Sequence, residues 1–309
     1  MNVLITGAAG FVGRHLISLI GSKETTYGAT LSEEGPGLLP VDLLDYNQVK
    51  RAINKINPDV IYHLAAYSSP ALSFKEPAKA IDDSLHMQIN IFEACLELKL
   101  KPTILVVSTG HIYGNAPADK LPLAEDAPVD LTTPYAVAKF SQEGLSNYYR
   151  HRGINSIISR AFNHTGPGQQ PGFLVPDLAC QIARLESKGG GVLKVGNLDS
   201  KRDFTDVRDI VRAYELLIKK GKPGEIYNVC SGRGLSGQEI LDGLLKHTTI
   251  DIRVEQDPER MRPSDMPINY GDSSKVKNIT GWEPIIPLEQ TLADVMNDWR
   301  ERIKQEKHA

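Results

Sequence analysis

The sequence predicts an α/β protein built on a doubly wound parallel sheet, with a smaller α/β part towards the C-terminus. Three observations carry that prediction. Strand-like and helix-like segments alternate through the first half of the chain. Several strand-like segments are apolar at every position, as strands covered on both faces are. The first of them breaks into a glycine-rich turn that opens a helix, as parallel strands do when they feed a crossover.

The elements follow in order. Residues 1–6 form a short apolar strand. After the turn, Phe11, Leu16, Leu19 and Ile20 recur at helical spacing. Residues 25–31 and 39–43 read as the second and third strands. Residues 47–56 read as a helix that stops before Pro58, whose ring cannot continue it. Residues 60–65 are a strongly apolar strand, 81–98 a long helix and 103–108 another buried strand. Residues 135–152 are helical, and 156–160 return as a strand. The remainder is less regular. Helices are expected at 176–187, 206–219, 235–247 and from 288 to about 304, with strands at 192–195 and 226–229. No repeat or low-complexity linker interrupts the chain.

The 309 residues carry a net charge of −3, which gives no electrostatic footprint for nucleic acid or a membrane surface. A phosphate-bearing ligand would rely on a few placed arginines. Cys95, Cys180 and Cys230 lie far apart without a CxxC pair. They read as buried thiols in a reducing, cytoplasmic compartment. No HExxH or metal-finger spacing occurs, so no metal is expected. The apolar run 3–5 is too short for a signal-peptide core, and nothing approaches the roughly 20 apolar residues of a membrane span.

Gly7, Gly10 and Gly13 have GxxGxxG spacing between a strand and a helix. Glycines allow a tight turn and close approach of the backbone to a pyrophosphate, which the helix N-terminus then attracts. Phe11 and Val12 supply further N–H groups to this dinucleotide site, and the sheet is accordingly Rossmann-like. An acid about 20 positions on usually holds the ribose of NAD. Here the region reads Ala29-Thr30-Leu31-Ser32, and Glu33 and Glu34 come late. That leans towards NADP(H), with NAD(H) possible because Glu33 can still reach. Asp42, next to Leu43, is either an acceptor for the adenine amino group or a turn carboxylate.

Tyr135 and Lys139 stand four apart on one helix face. A nearby ammonium favours the phenolate and is expected to lower the tyrosine's pKa towards neutrality. Such a tyrosine can exchange a proton with a carbinol or carbonyl oxygen. Alone, the pair also fits a solvated helix face. It follows, however, a buried strand ending in Ser108-Thr109-Gly110-His111. A hydroxyl at that strand's C-terminal end sits where doubly wound sheets bind ligands. Thr109 is either a partner for the same substrate oxygen or a side chain bonded to nearby backbone.

Glycine loop, strand-end hydroxyl and YxxxK, in that order, resemble the extended short-chain dehydrogenase/reductase family over nearly the whole chain. His63-Leu64-Ala65-Ala66 is similar to the family's fourth-strand end, which implies that Leu64, Ala65 and Ala66 line the cofactor. The resemblance implies Thr109, Tyr135 and Lys139 as catalytic residues, with Lys139 also on the nicotinamide ribose. Ser84 departs from the asparagine of many relatives. The resemblance further implies a homodimer through helices 81–98 and 135–152. It divides the chain into an NAD(P)-binding unit, 1–162 with a return near 204–232, and a nucleotide-sugar-binding part, 163–309.

The second half resembles GDP-mannose-modifying members through Asn163-His164-Thr165-Gly166-Pro167-Gly168-Gln169, Gly196 to Asp203, and Arg262-Pro263-Ser264-Asp265. The resemblance implies that Asn163, Arg202 and Arg262 meet a diphosphate, with Val175, Asn197 and Asp265 completing the substrate site. Arginine forks match phosphate oxygens, which supports that role. Arg202 is otherwise a salt-bridge partner of Asp203 or Asp206, and Arg262 a surface residue. Related 4,6-dehydratases carry acidic residues just after the threonine, where this chain has Gly110 and His111. Related GDP-fucose synthases place a cysteine at the position of His111 and a histidine near Gly168. What remains is simple reduction of a GDP-linked 4-keto-6-deoxy sugar by NAD(P)H, as in the family's GDP-4-keto-6-deoxymannose reductases, which form GDP-D-rhamnose. His111 is then a supporting or gating residue, or a filler. A 4-epimerase with tightly held NAD and a non-catalytic NAD(P)-binding sensor are the two rival readings.

Overall fold

The computed structural model describes residues 1–31, 35–261 and 266–308. In chain order the strands and α-helices are β1 (Asn2–Thr6), α1 (Phe11–Ile20), β2 (Thr25–Thr30), β3 (Leu38–Pro40), α2 (Tyr46–Ile56), β4 (Val60–His63), α3 (Pro70–Ser73), α4 (Pro77–Glu97), β5 (Thr103–Thr109), α5 (Pro134–His151), β6 (Asn155–Ala161), β7 (Asn163–Thr165), α6 (Leu174–Glu186), β8 (Gly191–Val195), β9 (Lys201–Asp206), α7 (Val207–Lys220), β10 (Ile226–Val229), β11 (Gly234–Ser236), α8 (Gly237–Leu245), β12 (Ile252–Gln256), β13 (Ile268–Asn269), α9 (Ser274–Thr280) and α10 (Leu288–His308).

Seven strands form the main sheet in the order β10-β6-β5-β4-β1-β2-β3. Every pairing in it is parallel, so the doubly wound parallel sheet expected from the sequence is the architecture found. Its two faces are buried by different helices. Leu16 and Ile20 of α1 share one core with Ile210, Tyr214 and Leu217 of α7 and Val276 of α9. Val49 and Ile53 of α2, Ile91 and Phe92 of α4 and Tyr149 of α5 fill the other. Each such aliphatic or aromatic side chain contributes roughly 1.5–3 kcal/mol on burial. Local chemistry sets the ends. Asp45 caps α2 by accepting from the N–H groups of Asn47 and Gln48, and Asn57 turns left-handed at its end. Thr133 caps α5, and Pro134 opens it.

The smaller part packs α6, α8 and α10 against β8 and β9 around Leu178, Ile182, Leu193, Ile240 and Met296. A second sheet, β11-β9-β13, carries β7 on the other reach of β9, and β12 pairs with β8. The parts interleave. β10 closes the edge of the main sheet, and Val276 and Trp282, from far along the chain, join its core.

Several boundaries differ from expectation. The third strand runs over Leu38–Pro40, not 39–43: the Val41 N–H still reaches the Thr30 carbonyl, but the next N–H, of Asp42, turns to the Gln48 side chain and leaves the sheet; Val41 and Leu43 still bury their side chains. The long helix starts earlier, at Pro77. The segment expected as one helix from 235 divides into β11 and α8, because Ser236 and Glu239 form a capping box. β9 was not foreseen: its charged sequence is buried because Asp203 accepts hydrogen bonds from the Ser231 and Gly232 N–H groups and the Ser231 hydroxyl. The three cysteines are free and buried. No helix among the described residues is long and apolar enough to cross a membrane, and no cluster of metal-ligating side chains occurs among them.

Candidate active site

The chain runs outward through β1, β2 and β3, then back to β4 and outward the other way. Loops that leave neighbouring strands in opposite directions open a crevice at their C-terminal ends. A cavity of about 930 Å³ lies there, lined by the Gly7–Gly13 turn, the ends of β2, β4 and β5, the start of α5, and residues of β7, α6 and β9.

The turn is built for close approach. Gly7 has φ +68°, and a Cβ there would stand 3.0 Å from the Ala65 nitrogen. A Cβ on Gly13 would stand 2.3 Å from the Gly7 carbonyl oxygen. The backbone is therefore tighter than any other residue allows, and it presents the N-terminus of α1 to the cavity. The facing wall is tied to it. The Thr6 hydroxyl accepts from the Ala65 N–H at 3.1 Å and lies 3.0 Å from His63 Nδ1. Leu64, Ala65 and Ala66 thereby line the cavity beside Gly7, Gly10, Phe11, Val12 and Gly13. Asp42 and Leu43 are not among the lining residues. Asp42 Oδ1 accepts from the Leu44 N–H, as a turn carboxylate does, and Leu43 is buried.

Thr109, Tyr135 and Lys139 all line the same cavity. Thr109 ends β5 and accepts from the His111 N–H at 3.2 Å. Lys139 donates to the Val107 carbonyl at 2.8 Å, and burial lowers its pKa to about 8. Tyr135 does not behave as expected: its pKa is raised, because burial outweighs the hydrogen bond with Thr109 that pulls it down. The lysine's ammonium is held by the strand backbone. The phenol therefore stays protonated at neutral pH and is set to give a proton.

A buried polar network holds this end of the sheet. The Arg160 guanidinium donates twice to Glu143, at 3.0 and 2.8 Å, and to the Tyr113 hydroxyl and the Glu125 carbonyl, both at 2.8 Å. Ser108, beside Thr109, donates to the same carboxylate. Glu143 lies one turn beyond Lys139, so the network joins β5, β6 and α5 beside Thr109 and Lys139. Sequence reasoning missed it, since neither residue has a recognisable spacing.

On the far side, Asn163, Val175, Asn197 and Arg202 line the cavity. Asn163 Oδ1 accepts from His111 Nε2 at 3.2 Å, which leaves the amide N–H₂ as a donor. The His111 ring also stands edge-on to Tyr135, 5.9 Å between centroids. Arg202 donates to the Met266 carbonyl at 2.6 Å and to the Lys201 carbonyl. Arg262 and Asp265 lie outside the described residues, as do Glu33 and Glu34. Lys75, Lys194 and Arg260 also line the cavity. They were missed because each sits in a segment with no motif. Ser84 is buried, donating to the Ala80 carbonyl and accepting from the Tyr67 N–H.

The profile of the family described as GDP-mannose 4,6 dehydratase matches residues 4–295. A GDP-6-deoxy-D-mannose reductase of Pseudomonas aeruginosa is 32% identical over 311 residues, covering 99% of each chain. A GDP-6-deoxy-D-talose 4-dehydrogenase of Aggregatibacter actinomycetemcomitans is 33% identical over 288 residues, covering 91% of this chain and 92% of its own. Among solved structures, that of RMD from Pseudomonas aeruginosa complexed with NADPH superimposes with a TM-score of 0.87 at 30% identity, covering 98% of this chain and 100% of that one.

Proposed function

The chain belongs to the GDP-mannose 4,6-dehydratase family, and from that premise we propose that it reduces the 4-keto group of GDP-4-keto-6-deoxy-D-mannose to GDP-D-rhamnose with hydride from NAD(P)H. The observation that carries the reduction, rather than the dehydration of the family's name, is the charge of the cavity wall. Its only carboxylate among the described residues is Asp177, which accepts from the Gly172 N–H. Gly110 and a histidine bonded to Asn163 follow Thr109. Elimination of water from a sugar needs an acid/base at that point. The full-length likeness to a GDP-6-deoxy-D-mannose reductase supports the same reading.

The turn of Gly7, Gly10 and Gly13 fits a dinucleotide: it lines the cavity at the start of α1, and a Cβ on Gly7 or Gly13 would strike backbone and force the turn open. NADP(H) is the preferred cofactor and NAD(H) is tolerated. The NADPH of the solved relative supports this, as do Ala29 and Thr30 at the end of β2 and Leu31 after it, none of them acidic. Gly7, Gly10, Phe11, Val12, Gly13, Leu64, Ala65 and Ala66 would hold it. When bound, NADPH would supply hydride for reduction of the keto group. Tyr135 gives its phenolic proton to the carbonyl oxygen as charge develops there, Thr109 orients that oxygen, and Lys139 holds the ribose end. Asn163, with its amide fixed by His111, and Arg202 bind the diphosphate, and Val175 and Asn197 line the sugar-nucleotide side. We assign 1–162, with the return over 204–232, to the cofactor, and the rest of 163–309 to the sugar nucleotide.

One observation favours a second stereochemical outcome. The likeness to a GDP-6-deoxy-D-talose 4-dehydrogenase is at 33% identity over 288 residues, beside 32% over 311 for the reductase, and 6-deoxytalose differs from rhamnose only at carbon 4. Proton NMR of the product distinguishes the two by the coupling of H-4. We further propose a homodimer through α4 and α5, where Phe140 and Tyr148 of α5 are exposed, and a cytoplasmic location, which the free cysteines support. A monomer by light scattering contradicts the former. The reaction itself is tested by NADPH oxidation that depends on the keto sugar.

A further inference from the structure

His164 stands at the corner where the glycine turn meets the substrate side. Its ring lines the cavity and stacks almost parallel on Phe11, 6.3 Å between centroids at 10°. Phe11 follows Gly10 in the turn that presents free N–H groups at the start of α1. One edge of the imidazole is committed: Nδ1 lies 2.9 Å from the Phe162 carbonyl oxygen. A carbonyl only accepts, so Nδ1 carries the proton, and in the neutral ring Nε2 is a lone pair. Nε2 has no hydrogen-bond partner among the described residues.

The charged and titratable groups of the surrounding elements are engaged elsewhere. On α1, His15 bonds the Pro167 carbonyl. On β9 and α7, Asp206 is held by Arg208 and Thr291. On α10, Asp294 pairs with Arg208 and Asp298 with Arg302. On α5, Lys139 is turned to Val107; just after β5, His111 bonds Asn163. None of these supplies a counter-charge at Nε2. Burial accordingly lowers the histidine's pKa in the empty protein, opposed by the bond to Phe162.

We infer that His164 is a further diphosphate-binding residue, which takes up a proton at Nε2 when a diphosphate group enters this corner of the cavity. The inference rests on the reading of the cavity as a site for two diphosphate ligands, a dinucleotide and a sugar nucleotide. A lone pair facing phosphate oxygens is repulsive, whereas an imidazolium there donates a charge-assisted hydrogen bond. Opposite charge favours the charged form, so the ligand raises the pKa that burial had lowered. Between the two values each molecule of ligand bound brings in one proton. Affinity then falls as pH rises, by up to about tenfold per pH unit, and is flat below the empty-state value and above the bound one.

The test is isothermal titration calorimetry between pH 5.5 and 8.5, in pairs of buffers that differ in ionisation heat. One arm uses GDP-mannose, whose diphosphate does not titrate in this range. The other uses NADP⁺, read as wild type minus variant so that its titrating 2′-phosphate cancels. The variants are His164→Asn, which keeps a donor for Phe162, and His164→Gln. Close to one proton taken up per ligand by wild type and lost in either variant is the expected result, and the arm that shows it identifies the diphosphate. Binding of both ligands with no proton uptake due to His164 in either arm overturns the inference and leaves the reductase reading intact. Failure of both ligands to bind contradicts the reading of the cavity itself.

Discussion

Replacing Arg160 with methionine tests whether the buried network of Arg160, Glu143 and Ser108 holds this end of the sheet together. Arg160 and Glu143 are each 5% exposed, so neither charge is relieved by water. The guanidinium makes four hydrogen bonds, two of them to the carboxylate, and lies 5.1 Å over the Tyr113 ring. Methionine replaces the stem but leaves Glu143 with only the Ser108 hydroxyl and strands the Glu125 carbonyl. Removing one partner of a buried pair costs about 3–5 kcal/mol. Glu143→Leu leaves the opposite charge stranded and should cost a similar amount. The double variant strands neither, so its loss should fall short of the sum by about 1–3 kcal/mol. Urea unfolding reads all three, followed by the fluorescence of Trp282 and Trp299, which are 0% and 4% exposed. Single variants that lose less than about 1 kcal/mol, or losses that simply add, would refute the reasoning.

Three more outcomes are expected. Burial pushes His63 down to about 3; below pH 6.5 the unfolded chain binds a proton that the folded one refuses, so stability falls as pH drops from 6.5 to about 3, and His63→Gln should lose about 2–3 kcal/mol less than wild type between pH 7 and 4.5. Equal acid limbs in the two unfolding series would show that His63 titrates normally. Gly13→Ala puts a Cβ 2.3 Å from the Gly7 carbonyl, backbone that cannot give way; NADPH affinity should fall about tenfold or more by fluorescence titration, and an unchanged Kd contradicts the cradle. His111→Ala frees the Asn163 amide to rotate, so KM for the sugar nucleotide should rise several-fold with a smaller change in kcat; a loss confined to kcat would place His111 in the chemistry instead.

Much of this was legible in the sequence where one physical demand dominates a segment. β4 and β5 are buried on both faces, so their apolar runs announced them. Gly7 and Gly13 were legible because no side chain fits there, and the pairing of Tyr135 with Lys139 because helix geometry alone brings them together. Other features depend on partners distant in the chain. β9 is a strand because Ser231, Gly232 and Gly271 satisfy Asp203, and nothing within Lys201–Asp206 says so. The direction of the Tyr135 shift was misjudged because spacing reports that an ammonium is near, whereas burial decides which effect wins. The start of α8, by contrast, is written locally, in the capping pair of Ser236 and Glu239.

The keto-sugar reduction is best read by following NADPH absorbance with GDP-4-keto-6-deoxymannose made in place by a dehydratase, NADH in parallel, and Tyr135→Phe as the control. Oxidation that requires the keto sugar, runs faster with NADPH and falls by about 10²–10⁴-fold in the folded variant is the predicted result. A wild-type protein that binds NADPH but leaves it unoxidised in the presence of the keto sugar would contradict the account.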